Sequence, residues 1–193
     1  MVPIQQLAAL KRSARNEFLA ARYRLVAIGA DRLPGHKFHQ VVEALDDLPS
    51  DLVRDGPITT LFLGVDLGIG TYGETVEASV AIGLVTCRGV GNRPHTIPSL
   101  TLFRATIVHE VGHTVAFARR RRLQAAFDRA FWPGGERDHH RGNPVTSYAL
   151  LGPSEDFAEA FLHYRYNATR MATTSPQRYA WMRDHVFGHR QFA

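Results

Sequence analysis

The stretch HEVGH at residues 109–113, set inside SLTLFRATIVHEVGHTVAFAR (99–119), decides how the rest of the chain is read. Leu100, Phe103, Ile107, Val111 and Val115 recur at three- and four-residue steps, an apolar stripe that predicts a helix. Pro98 and Ser99 supply its start, with Ser99 as N-cap. Residues i and i+4 of a helix share a face, so His109 and His113 point the same way. Two neutral imidazoles side by side are half of a tetrahedral zinc site. Glu110 is turned about 100° further round the axis. From there it reaches a water on the metal without taking a coordination position. The plain alternative is two histidines on a half-buried helix face with no metal, and ten histidines in the chain raise the chance of a coincidence. A third ligand downstream decides between the two.

The segment VTSYALLGPSEDFAEAF (145–161) offers that ligand. Gly152, Pro153 and Ser154 signal a helix start, with Ser154 as cap and acids in the first turn. Phe157, Ala158, Phe161 and Leu162 make its core side. Glu155 and Glu159 are again i and i+4, so two carboxylates share a face that borders the apolar one. Like charges there are costly unless a cation meets them, and a metal held by two histidines is such a cation. One carboxylate then serves as third protein ligand. The other, one turn on, accepts the free ring N–H of a ligating histidine and fixes its tautomer.

Composition bounds the setting. A chain of 193 residues is read as one domain, 1–193, with 45% hydrophobic and 21% charged residues, as in ordinary globular proteins. The single cysteine, Cys87, lies in an apolar run and reads as a small buried hydrophobe; no internal disulfide framework is possible. No apolar run is long enough for a transmembrane helix, and no secretory signal pattern opens the chain. The expected location is cytoplasmic, or outside by a signal-less route. A net charge of +5 and a pI near 9.8 permit an anionic partner without establishing one. Four arginines, 119–122, read as a solvated helix face rather than a phosphate site, so a nucleic-acid partner is not favoured.

Upstream, Ile4, Leu7, Ala14, Phe18, Ala21, Leu25 and Ile28 predict an amphipathic helix over 4–28, broken at Leu33-Pro34-Gly35. A short helix is expected over 38–47 and a strand over 58–66. The glycine-rich 68–73 reads as a turn, and one or two further strands follow within 74–86. Helical periodicity resumes through 131, where Trp132 and Pro133 stop it. His139 and His140 read as exposed loop residues rather than ligands. The expected class is α+β: N-terminal helices and a small sheet, then a helical half carrying the active-site helix.

On the HEVGH motif and the SY-x(6)-EDFAEAF segment, the chain resembles the gluzincin zinc metallopeptidases. Within them it is similar to the group containing the catalytic domain of anthrax lethal factor and the Pro-Pro endopeptidases. The resemblance covers residues about 99–165. It implies a zincin-like fold, a Zn2+ cofactor, a peptide or protein substrate and peptide-bond hydrolysis by a metal-activated water. It implies His109, His113 and Glu155 as ligands and Glu110 as general base. Tyr148 would stabilise the oxyanion, and Glu159 would stand behind a ligand. A toxin-like effector is one expectation; an intracellular regulatory protease, or a basic nucleic-acid-binding module with a structural metal, are the alternatives. A strand within 76–87 is expected to hold extended substrate by main-chain pairing.

Overall fold

The computed structural model describes residues 7, 9–67, 71–83, 97, 100–135 and 140–192, without the side chains of 119–121. The expectations for Cys87, His139, residues 68–70, strand residues 84–86 and the arginine side chains at 119–121 therefore lie outside the described residues.

The elements in order are α1 (Arg15–Tyr23), β1 (Val26–Ile28), α2 (Gly35–Asp46), β2 (Thr60–Val65), β3 (Gly73–Val76) and β4 (Ser79–Gly83). Then come α3 (Leu102–Phe131), α4 (Pro153–Tyr166), α5 (Ala168–Thr174) and α6 (Pro176–His185). The class is α+β, as expected. No helix among the described residues is long and apolar enough to cross a membrane.

The helix expected over 4–28 is shorter than its periodicity suggested. It ends where Arg24 turns left-handed (φ 57°, ψ 37°), and Val26–Ile28 runs on as β1. Exposed, buried, exposed is the burial pattern there, a period of two. β-branched Val26 and Ile28 suit a strand. The three-residue step from Leu25 to Ile28 matches a helical period only by coincidence: in extended chain it puts the two on opposite sides, and Leu25 is buried while Ile28 is exposed.

The sheet order is β1-β2-β4-β3, with β1, β2 and β4 parallel and β3 antiparallel to β4. Leu61 and Leu63 on β2 and Val80 and Ile82 on β4 are buried at alternate positions. They meet a core that includes Phe38, Val41 and Leu45 of α2 and Ile107 and Val111 of α3. Ser79–Gly83 has a partner on both sides, so within the described part of 76–87 it is not the strand free to pair with substrate; among the described residues the outer strand beside α3 is Gly73–Val76.

α3 is the central element. Every residue from Ala105 to Ala116 is buried, because the sheet covers one flank and α4 the other. A helix enclosed on all sides holds polar groups only where they are paired, so the buried His109, Glu110 and His113 call for partners. Thr101, not Ser99 as expected, caps α3, its hydroxyl accepting from the Arg104 amide. Trp132 closes it, as the sequence predicts. α3 and α4 approach closely at Gly112, where an added Cβ would lie 3.2 Å from the Ala158 Cα and 3.3 Å from Phe161. Gly112 thus sets the distance between the two motif-bearing helices.

Candidate metal centre

His109, His113 and Glu155 converge, each offering one donor atom, all within 4.8 Å of one another. His109 Nε2 stands 3.1 Å from His113 Nε2 and 3.1 Å from Glu155 Oε2, and His113 Nε2 stands 3.6 Å from that same oxygen. Tetrahedral coordination at about 2.0–2.1 Å requires donor–donor edges of about 3.3–3.4 Å. The triangle has that size. Its imidazoles are buried and the Glu155 side chain is 28% exposed, so the cluster opens at the carboxylate.

The outward ring nitrogens are both anchored. His109 Nδ1–H donates to Glu159 Oε1 at 2.9 Å, and the Thr146 hydroxyl donates to Glu159 Oε2 at 2.7 Å. His113 Nδ1 lies 3.0 Å from Ser154 Oγ. These contacts turn both Nε2 atoms inward. Ser154 was expected to cap α4. Gly152 holds the cap position instead, Pro153 is the first helical residue, and the Ser154 hydroxyl serves His113.

Glu110 is held out of the triangle. The Thr75 hydroxyl on β3 donates to Glu110 Oε2 at 2.7 Å. On the other oxygen a Cβ at Gly73 would lie 2.6 Å from Glu110 Oε1, so a side chain there would push the carboxylate from its place. Strand β3 therefore cradles the one motif carboxylate that is not a donor in the triangle. Tyr148, in the 3-10 turn Tyr148–Leu151, sets its ring edge-on to His109 at 5.8 Å between centroids. His140 packs beside Trp132 at 5.8 Å and takes no part in the cluster.

Electrostatics follow from burial and pairing. Burial alone pushes the Glu155 carboxyl up, but its bonds to His109 and His113 outweigh that and hold it at about 2. Burial likewise opposes charge on His109. Glu155 and Glu159 outweigh it, with help from the field of Glu110, and raise its pKa to about 10. Burial, then the charges of Glu155, Glu110 and Glu159, push the Tyr148 phenol up to about 12. Three carboxylates around two imidazoles thus favour positive charge at the centre.

A site with two imidazoles and one carboxylate, an open side and a carboxylate poised outside the triangle has the donor chemistry of a divalent-metal centre. Thr75 and Thr146 went unread in the sequence, and Ser154 was read only as a cap; each is a lone hydroxyl meeting a residue 13 to 41 positions away. No protein-family model matches the chain, and no curated protein matches it.

Proposed function

We propose that the protein is a zinc-dependent endopeptidase with a zincin-like fold of the gluzincin type, cutting peptide or protein chains. The convergence of His109, His113 and Glu155, with Glu110 held beside them by Thr75, carries this reading. Two nitrogen donors, one oxygen donor and no thiol suit zinc in an open site; closed structural sites are dominated by cysteine. Bound there, the ion would supply Lewis acidity and lower the pKa of water toward about 7.

The chain's own groups do the rest. Glu110 takes a proton from the attacking water and passes it to the leaving amine. Tyr148 keeps its proton at neutral pH, since its pKa stands near 12. It is therefore a hydrogen-bond donor to the developing oxyanion. Glu159 and Ser154 hold the imidazoles in one tautomer and orientation. β3, outermost in the sheet among the described residues, offers main-chain groups to an extended chain.

A groove of about 1090 Å³ begins at Thr75 and runs along α3 past Thr114 and Ala118. Those two residues follow Glu110 at four-residue steps, so the groove continues the flank of the helix on which the base stands. Its volume lies at the upper end of small-ligand pockets and has room for a short peptide segment.

The deciding test is zinc content together with cleavage of a random peptide library, before and after chelation. Cleavage that a chelator stops and zinc restores supports the reading; zinc-loaded protein that cuts nothing contradicts it. Tyr148→Phe is expected to lower kcat by about 100-fold with zinc retained; an unchanged rate would remove Tyr148 from the chemistry. Zinc uptake has a proton signature too. His109, with its pKa near 10, carries a proton at pH 7 in the metal-free protein and must give it up to coordinate. Calorimetric zinc titrations in buffers of different ionisation enthalpy should report about one proton released per ion. No buffer dependence would mean His109 is already neutral.

A further inference from the structure

Glu155 has a neighbour of a different kind. Asp156 is fully buried and faces Arg178 of α6, also fully buried. Arg178 Nε donates to Asp156 Oδ1 at 2.7 Å and Nη2 donates to Oδ2 at 2.6 Å. The Trp132 indole N–H donates to the same Oδ2 at 2.7 Å. Arg178 Nη1 turns the other way, donating to the carbonyls of Arg141 and Asn143, both at 3.0 Å. One guanidinium therefore grips the first turn of the helix bearing Glu155 and the strap 141–144 at once.

The strap has further ties. Gly142 has φ +70°, and a Cβ there would stand 2.4 Å from Gln177 Oε1 and 3.3 Å from Arg178 Nη1. The Asn143 amide donates to the Thr174 carbonyl, and the Ser175 hydroxyl to that of Pro144. Beyond the strap the chain delivers Thr146 to Glu159 and then Tyr148 to His109. The Ala149 amide donates back to Thr146 Oγ1. A buried ion pair alone is weak evidence of function. This one also spends two donors on backbone carbonyls of the segment that leads to the site.

We propose that Arg178 is a positioning residue for the metal centre. It sets the Thr146–Tyr148 segment against the Glu155 turn of α4, and it acts on the reaction through Tyr148. Its planar fork reaches the carboxylate and both carbonyls; a lysine ammonium on one stem cannot. The inference rests on the peptidase reading for its kinetic consequence and on the fold alone for its structural one.

Arg178→Lys tests both. In metal-free protein, hydrogen exchange at the Ala149 amide should quicken at least about tenfold, with the Val111 and Leu61 amides unchanged. General loosening would speed all three alike and overturn the proposal. In zinc-loaded protein, R178K should lower kcat at least about tenfold with KM nearly constant. Tyr148→Phe should then cost far less than its about 100-fold in the wild-type background. Additive effects, or a wild-type kcat, overturn it. Should R178K not fold, Ser175→Ala removes only the tie to Pro144 and is judged by the same two readouts. A wild type that holds no zinc and cuts no peptide sinks the peptidase reading and this inference together; an active wild type with an additive cycle sinks this inference alone.

Discussion

Glu110→Gln is expected to leave zinc binding intact and to lower peptide cleavage by about 10²–10⁴-fold. The amide has the shape of the carboxylate, so it still accepts the Thr75 hydroxyl and still fits against Gly73. What it loses is the capacity to take a proton. Because Glu110 stands outside the triangle of donors, the three ligands are untouched. Burying a neutral amide in place of a charge also removes a desolvation cost, so thermal stability should not fall. The check is zinc content, melting temperature and library cleavage measured on one preparation. Activity within tenfold of wild type would show that Glu110 is not the base.

His113→Ala is expected to have the second large effect, on both metal binding and stability. His113 is 7% exposed, its Nε2 forms one corner of the triangle, and its ring stacks on Phe117 at 6.2 Å. Removal leaves a cavity, strands the Ser154 hydroxyl and deletes a ligand. Zinc at a thousandfold excess over its Kd stabilises a fold by about 4 kcal/mol. For a chain of this size that corresponds to a melting shift of roughly 8–16 °C. Chelator should therefore lower the wild-type transition by that amount and leave the His113→Ala transition unmoved. A wild-type transition indifferent to both chelator and zinc would contradict a metal that is part of the fold.

The legible part of this protein was its local part. Helical period and the four-residue step put His109 and His113 on one face, and the same step put Glu155 and Glu159 together on α4. Trp132 and Pro133 marked the end of α3 because side-chain bulk and ring closure act within a turn. The rest depends on contacts between distant residues. Thr75 meets Glu110 across 35 positions, and nothing in GETV announces a hydroxyl aimed at a carboxylate. Arg178 sits in α6 with no pattern to distinguish it from the surface arginines around it, yet it is fully buried. Ser154 was misplaced for a different reason: Gly, Pro and Ser at a helix start each fit the cap, and local rules do not tell which one takes it. At β1, the three-residue step from Leu25 to Ile28 matched the helical period by coincidence, and only the structure shows the first buried and the second exposed.

The reading depends on an ion bound at once by side chains of α3 and α4. Anomalous diffraction at the zinc edge, from crystals grown with one equivalent of zinc, tests this directly. A single strong peak should lie about 2.0–2.2 Å from His109 Nε2, His113 Nε2 and a Glu155 carboxylate oxygen. No peak between those three atoms, or a Glu155 carboxyl turned away from a zinc held elsewhere, would contradict it.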